Sequence, residues 1–373
     1  MIMPSKNSGT STKIQALFKT NAFQAVLIAS LDGSDPFFNY FTALPLELIG
    51  NNFLLLRKGK KPIIYCSNLE FNDIKKRVGK KFQVKMHVSR FEPFERIKKD
   101  LKNIQRIGLN HSRVSLSLFH VFKKFISGKK WVDASIALNQ LRETKTPSEI
   151  QKVKKAIQLS EKVLKQTLSF IRTGISEKDL ALRLKLEMER LNVCESFGAI
   201  IAFGVNAAFP HYLPSPQVKL KVGDLILIDF GVRFENYCAD LTRCFVWGKA
   251  SEKQREVYEK VWLAHELGFK AIQIGQSAQG AFLNVEKWFG LNGWKQVHGL
   301  GHGLGLELHD FPQSISAKSR WKFENDQIVT VEPGVYLEGW GGVRLEDDVL
   351  IQNGKAVWLS RCPKKLIELK GKK

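Results

Sequence analysis

The stretch from Leu225 to Arg243 limits what this chain can become more than any other. Leu225-Ile226-Leu227-Ile228 is an apolar, strand-forming run that ends on Asp229, and a second such run, Tyr237-Cys238-Ala239-Asp240-Leu241-Thr242-Arg243, follows after a few residues. A hairpin turning about Phe234-Glu235 places Asp229 directly opposite Asp240. Opposed residues stand about 4.5–5.5 Å apart at Cβ, and like charges so placed repel. Burial beside an apolar strand adds a desolvation cost to each unpaired carboxylate. A cation relieves both. The construction recurs downstream, where Val331-Glu332-Pro333-Gly334 and Arg344-Leu345-Glu346-Asp347 bring Glu332 opposite Glu346 in a hairpin centred on Gly339.

Between the acidic hairpins lies His298-Gly299-Leu300-Gly301-His302-Gly303-Leu304-Gly305-Leu306-Glu307-Leu308-His309-Asp310, dense in glycine and carrying three histidines. Glycine permits close backbone approach, so imidazoles here can be aimed at a ligand or metal. Four carboxylates and an imidazole, without a cysteine, form a hard oxygen and nitrogen set suited to two divalent ions such as Mn, Co, Fe or Zn. Each feature alone has an ordinary reading: a turn-forming Asp, an edge Glu before proline, a glycine-rich loop. Their conjunction points to metal.

With 44% hydrophobic and 25% charged residues the chain has a globular composition, and 373 residues suggest two domains. The longest charge-free run, from Ser196 to Val218, is interrupted by Asn206, Pro210, His211, Pro214 and Pro216, so no membrane helix is expected. The polar N-terminus lacks the order of a signal peptide, and five scattered cysteines fit neither a disulfide framework nor a CxxC metal site; a reducing, cytoplasmic setting is expected. The net charge of +22 is uneven: residues 1–145 carry 26 basic and 10 acidic residues, residues 146–373 carry 32 and 26. Clusters such as Arg57-Lys58-Gly59-Lys60-Lys61, Lys75-Lys76-Arg77, Lys80-Lys81 and Lys129-Lys130 can attract nucleic acid by counterion release. No aromatic-interleaved or zinc-finger pattern accompanies them, so a solvated basic face is the expectation.

The first third alternates short β-rich runs (Ala25 to Leu31, Asn52 to Leu56, Pro62 to Cys66) with helical spacing (Pro93 to Leu101, Leu116 to Ile126), an α/β pattern. Thr146-Pro147-Ser148-Glu149 marks its end, a capping box with proline in the first helical turn. Ile150, Val153, Ile157, Leu164, Leu168 and Ile171 then carry a long helix toward Gly174. Further helices open at Ser176, with Asp179, and at Ser251, with Gln254, the latter closing near Gly275. Strands are expected at Asp224 to Phe230, Tyr237 to Val246, Ile328 to Tyr336 and Gly342 to Ile351, making the second part α+β.

These residues resemble the pita-bread metallopeptidases, the group of methionine aminopeptidase, aminopeptidase P and Xaa-Pro dipeptidase (prolidase). The resemblance runs from about Thr146 to Leu369 and rests on Asn206-Ala207-Ala208-Phe209-Pro210-His211-Tyr212, Ile228-Asp229-Phe230-Gly231, Ala239-Asp240-Leu241-Thr242-Arg243, Gly301-His302-Gly303-Leu304-Gly305-Leu306, Val331-Glu332-Pro333-Gly334-Val335-Tyr336 and Gly342-Val343-Arg344-Leu345-Glu346-Asp347. More loosely, residues 1–145 resemble the creatinase-type N-terminal domain of the prolidase and aminopeptidase P branch. The implied organisation is an α+β pita-bread catalytic domain, 146–373, after a smaller α/β domain. The resemblance implies Asp229, Asp240, His302, Glu332 and Glu346 as ligands of two divalent ions, with Asp240 and Glu346 bridging. It implies His211 and His309 as substrate-facing, Glu332 also as a proton carrier, and Arg344 as orienting carboxylates or substrate; His298 is expected to have a structural or rim role. The activity implied is hydrolysis of Xaa-Pro bonds in dipeptides or at the N-terminus of short peptides, by a homodimer. Alternatives are an aminopeptidase of other specificity, or a weakly catalytic protein binding RNA or ribosomes through its basic N-terminal face. Asp310, Ala239 and Asn236 depart from the common pattern, where Glu, a small hydroxyl residue and Gly are usual.

Overall fold

The apolar runs of the first third become a sheet covered on both faces. In a computed structural model, which describes residues 8–19, 22–31, 35–45 and 50–370, the chain divides into two units, Met1–Leu141 and Arg142–Lys373. The first holds β1 (Ala25–Leu31), β2 (Asn51–Arg57), β3 (Ile63–Ser67), β4 (Gln83–His87), β5 (Arg106–Leu109) and β6 (Lys130–Asp133), in the order β4-β3-β2-β1-β5-β6. Its helices are α1 (Ser8–Leu17), α2 (Pro36–Thr42), α3 (Phe71–Val78), α4 (Glu92–Asp100), α5 (Leu116–Phe125) and α6, which starts at Ser135 and ends at Glu143. Alternate strand residues feed two cores. Val26, Ile28, Leu54, Leu56 and Ile64 pack with Phe37, Phe41 and Ile74; Leu27, Phe53, Leu55 and Ile63 pack with Phe94, Ile97 and Phe122. Burial on both faces removes the polar alternation a one-sided strand would show.

Strands β1, β3, β4, β5 and β6 begin, and β2 ends, at one end of this sheet. That end gathers the basic clusters. Helices α3, α4 and α5 also end there, each with lysines in its last turn, where cations complement the negative helix terminus.

The second unit comprises α7 (Pro147–Leu168), α8 (Glu177–Arg190), β7 (Cys194–Glu195), β8 (Ile200–Phe203), β9 (Leu225–Phe230), β10 (Val232–Phe234), β11 (Tyr237–Cys238), β12 (Leu241–Trp247), α9 (Glu252–Ala271), α10 (Ala278–Leu291), β13 (Gly301–Gly303), β14 (Asp310–Ile315), β15 (Ile328–Val331), β16 (Gly334–Leu337), β17 (Gly341–Arg344), β18 (Asp347–Gln352), β19 (Lys355–Trp358) and β20 (Ile367–Leu369). All three capping boxes form, at Thr146, Ser176 and Ser251. Two helices stop earlier than the sequence suggests. Helix α7 ends at Leu168 because the N–H groups of Ser169, Phe170 and Ile171 bond three residues back, tightening the last turn. Helix α9 ends at Ala271, and the Gly275 N–H is instead used by Phe323 O at 2.9 Å.

The architecture repeats although the sequence does not. Each half opens with a capped helix pair, α7–α8 or α9–α10, and closes with antiparallel strands. Gly174 N–H bonds Leu220 O as Gly275 N–H bonds Phe323 O, and the bridges Ser176–Lys219 and Ser277–Lys322 correspond. Strands β12-β9-β8 come from the first half, joined at the edge by the C-terminal β20 parallel to β12, and β14-β13-β15-β18-β19 come from the second; Leu164, Leu180 and Leu184 cover Ile226 and Ile228, while Val261, Phe282 and Val285 cover Val329, Val331 and Val349.

The acidic hairpins differ in how well the sequence placed them. Strands β15 and β18 pair Val331 with Asp347, and β16 and β17 pair Gly334 with Arg344, so Glu332 and Glu346 share the expected register. The expected continuous strands are interrupted there: Glu332-Pro333 separates β15 from β16, and Leu345-Glu346 separates β17 from β18. In the first hairpin Asp229 pairs with Thr242, not Asp240. The turn is Glu235-Asn236, with φ of 46° and 71°, a two-residue turn whose positive φ values match the twist of the flanking strands. Moving the turn by one residue shifts the register by two. Side chains alternate with period two, so Asp240 stays on the face of Asp229 as its diagonal neighbour. Among the described residues no helix is long and apolar enough to cross a membrane.

Candidate metal centre

Strands from both halves deliver carboxylates to one buried place. Asp229, at the end of β9, and Asp240, just before β12, come from the first half; Glu332 and Glu346 come from the strand interruptions of the second. His302 is the middle residue of β13. That strand is squeezed between β14 and β15: a Cβ on Gly301 would meet Thr330 O at 2.0 Å, and one on Gly303 would meet Pro312 O at 2.1 Å. Glycine on both sides of His302 is what lets the strand enter. The His302 backbone N–H donates to Thr330 Oγ1 at 3.0 Å, and its Nδ1 lies 3.0 Å from Gly303 O. A proton on Nδ1 there leaves Nε2 bare, and Nε2 lies 3.5 Å from both Asp240 Oδ2 and Glu332 Oε1.

Ligand atoms of Asp240, His302 and Glu346 lie within 4.8 Å of one another, all three residues buried. Asp229 is brought to the same face but leans on a different partner: its Oδ2 accepts from the Arg344 guanidinium. One oxygen on each of Asp229, Asp240 and Glu346 is buried without a hydrogen-bond partner. Native structures rarely leave such atoms unsatisfied. Burial, reinforced by Asp229, Asp348 and Glu332, holds the Asp240 carboxyl well above the usual carboxylate range. Burial and then Asp240, Glu332 and Asp229 do the same to Glu346. Asp229 is also raised by burial, against the pull of Arg344. A divalent cation supplies the missing partner for each oxygen and restores the charged forms, so the donor set fits a hard metal.

Arg344, 3% exposed, holds this cluster from one side. Besides Asp229 it donates from Nε to Thr242 Oγ1 at 3.2 Å and from Nη1 to the Tyr336 hydroxyl at 2.7 Å. Thr242 in turn donates to Glu346 Oε2 at 2.6 Å. His298 Nε2 lies 2.8 Å from the Tyr336 hydroxyl and Nδ1 lies 2.8 Å from Gly299 O, which spends both ring nitrogens inside the frame. His309 is exposed as a residue, but its ring stands edge-on to His302 with centroids 4.2 Å apart; the partial desolvation of that ring and then the neighbouring His302 lower its pKa, keeping it neutral at pH 7. His211 is exposed on the segment after β8 and touches none of the carboxylates. It is close enough for its charge to lower the pKa of both His298 and His309.

Thr242, Tyr336, Asp348 and Arg243 were not singled out in the sequence. Asp348 accepts the Asp240 backbone N–H at 3.3 Å. Arg243 donates to Thr242 O at 2.9 Å, Glu346 O at 2.8 Å and Asp347 Oδ1 at 2.6 Å, joining the two hairpins through their backbones. A buried Arg inside a strand of both hairpins was the available signal. Asp310, the departure from the common pattern, is buried and accepts from the N–H groups of Leu306 at 2.9 Å and Phe311 at 2.7 Å and from Arg142 Nη2 at 2.7 Å, fixing the turn that carries His309.

A sheet-borne cluster of carboxylates and one imidazole, built from two similar halves, is a site made for divalent metal. Residues 151–353 match metallopeptidase family M24, and residues 11–144 match the Creatinase/Prolidase N-terminal domain; the chain belongs to family M24 and is a peptidase of the prolidase type. An Xaa-Pro dipeptidase of Pyrococcus furiosus is 31% identical over 324 residues, 86% of this chain and 90% of the relative. Among solved structures, an Xaa-Pro dipeptidase from Bacillus anthracis superposes with a TM-score of 0.88 at 28% identity, covering 96% of this chain and 100% of its own. An X-Pro aminopeptidase from Thermotoga maritima gives 0.86 at 29% identity, covering 93% and 98%. The family implies divalent metal ions.

Proposed function

We propose that the chain is a dinuclear exopeptidase that hydrolyses the bond before proline, in Xaa-Pro dipeptides or at the N-terminus of short Xaa-Pro peptides. Asp229, Asp240, His302, Glu332 and Glu346 would hold two divalent ions (Mn, Co, Fe or Zn), with Asp240 and Glu346 as the ligands the two ions would share. The observation that carries this reading is the buried cluster of ligand atoms from Asp240, His302 and Glu346, beside which one oxygen on each of Asp229, Asp240 and Glu346 has no hydrogen-bond partner. The chemistry two such ions supply is polarisation of the scissile carbonyl and a water acidic enough to attack near neutral pH.

The side chains perform the remaining work. Glu332, the least buried of the carboxylates, takes a proton from the attacking water and delivers it to the leaving nitrogen. That delivery matters most before proline, whose nitrogen carries no hydrogen in the peptide. His309 and His211, facing the open side, hydrogen-bond the substrate carbonyl and the oxyanion that develops from it. Arg344 lowers the cost of ionising Asp229 and aims its carboxylate. The proline preference draws support from the relatives' Xaa-Pro activities and from the additional N-terminal domain. A homodimer belongs to the same proposal, and light scattering giving twice 42.4 kDa tests it.

Metal-reconstituted protein incubated with Ala-Pro, Ala-Pro-Ala and Ala-Ala-Ala in competition tests the specificity. Faster release from the proline peptides is expected. Faster cleavage of Ala-Ala-Ala refutes the proline preference, and Ala-Pro-Ala over Ala-Pro moves the activity from dipeptidase to aminopeptidase.

A further inference from the structure

His211 sits on an irregular segment, and the structure contains one device that holds that segment in shape. From Gly204 to Gln217 the chain forms a short 3-10 turn and otherwise no regular structure. Ordering such a loop costs conformational entropy that specific bonds must offset. On one side Gly341 and Gly342 pack against it: a Cβ on Gly342 would meet Ala207 O at 2.1 Å. On the other side stands Glu177, the first residue of α8, which is 0% exposed.

The Glu177 carboxylate is used by both ends of the loop. Oε1 accepts the Phe203 N–H at 2.8 Å and Asn206 Nδ2 at 3.0 Å, and Oε2 accepts the Ser215 N–H at 3.1 Å. Asn206 Nδ2 also donates to the Tyr212 hydroxyl at 2.8 Å. The Tyr212 phenol is pushed up to about 12, by burial first and then by the nearby Glu177 carboxylate. A buried carboxylate is costly without partners. Here it has backbone and amide donors, and its place in the first turn of α8 adds the favourable end of the helix dipole. Lys178 N–H to Ser215 O at 3.2 Å and Glu177 N–H to Val218 O at 3.3 Å close the neck of the loop over the same helix start. The carboxylate thus joins residues 203 and 215 across the loop and reaches, through Asn206, the residue next to His211.

We propose that Glu177 is a positioning residue for His211, acting through Asn206 and Tyr212. This rests on the reading of His211 as substrate-facing. A loop staple serving stability alone would lower the melting temperature while leaving its effect on turnover independent of His211. A positioning residue must lose its effect when His211 is gone.

The test is a double-mutant cycle on the metal-loaded protein, using the fastest-cleaved of the three peptides above. Glu177→Gln keeps the shape but turns one acceptor into a donor that faces a backbone or amide N–H. A misplacement of about 1 Å can cost about 100-fold, so kcat is expected to fall about 10- to 100-fold with KM changed less and metal content unchanged. In a His211→Ala background the same substitution is expected to cost no more than about threefold, within the coupling seen for residues that act as one unit. Hydrogen exchange over residues 203–215 should quicken in Glu177→Gln and stay near normal in His211→Ala. If Glu177→Gln does not fold, Asn206→Ala breaks the link to Tyr212 while sparing the backbone bonds, and the same non-additivity is expected. Full turnover in these variants beside an impaired His211→Ala overturns the proposal, as does a loss that adds in full to that of His211→Ala. Full turnover in His211→Ala would remove the reading of His211 and the proposal with it.

Discussion

Replacing Thr242 by valine probes the centre at a residue that is neither ligand nor substrate contact. Thr242 is fully buried, donates to Glu346 Oε2 at 2.6 Å and accepts from Arg344 Nε at 3.2 Å. Valine keeps the volume, so no cavity term enters, and the loss is that of two buried bonds to ionisable partners. Such bonds contribute about 1.5–3 kcal/mol each. Arg344 keeps Asp229 and Tyr336 as partners, which trims its share, so about 3 kcal/mol is expected in all. Thr242→Ser keeps the hydroxyl and loses one methyl, about 1 kcal/mol. Two units need not unfold together, but seven of the eight tryptophans lie within residues 142–373. Urea unfolding of metal-free protein at pH 8, followed by tryptophan fluorescence, therefore reports the unit that holds Thr242. A valine variant within about 0.5 kcal/mol of the parent, or a serine variant less stable than valine, refutes the reasoning, because half a kcal/mol is the scatter of neutral surface changes.

His211→Ala and His309→Ala should each keep near-normal metal content and lower kcat by about 10² to 10³, the range for a lost general acid or oxyanion donor; metal loss in either would make that histidine a ligand. Metal-free protein should lose stability as pH rises from 7 to 8.5. The sign follows from Asp240 and Glu346, whose folded pKa values are raised by burial and neighbouring carboxylates. The folded state then binds more protons than the unfolded, so stability present at low pH is lost as pH climbs through the raised values, by about 1.4 kcal/mol per pH unit per proton. The three histidines that shift, His265, His298 and His309, shift down from an ordinary value of about 6.5 and so do not offset this slope above pH 7. Saturating divalent metal should flatten the slope; a slope of opposite sign in metal-free protein contradicts the assignment.

The sequence carried the acidic hairpins because their pattern is local. Period-two alternation fixes which face Asp229, Asp240, Glu332 and Glu346 occupy, and an error of one residue in the turn, as at Glu235-Asn236, moves the register by two and leaves the face unchanged. The turn itself was legible in Asn236, a residue that tolerates positive φ. What the sequence withheld is long-range. Thr242 and Glu346 are separated by 104 positions, Arg344 and Asp229 by 115, and only the folded sheet brings them together. Helix α10 also escaped notice: Gly280 and Gly290 and the aromatic residues Phe282, Trp288 and Phe289 weaken its helical pattern, although Ser277 caps it. Glu177 reads in the sequence as one more acidic residue in a first helical turn.

The claim on which the rest depends is that two ions share one buried carboxylate cage. Metal content per chain, measured by mass spectrometry after reconstitution and removal of loosely bound ions, tests it most directly when parent and Asp240→Ala protein are compared. About two equivalents are expected in the parent, since the four-carboxylate and imidazole set suits two hard ions, with loss of the dinuclear centre in the variant if Asp240 serves both, as proposed. A parent that retains one equivalent or none, or an Asp240→Ala protein that keeps two, contradicts the account.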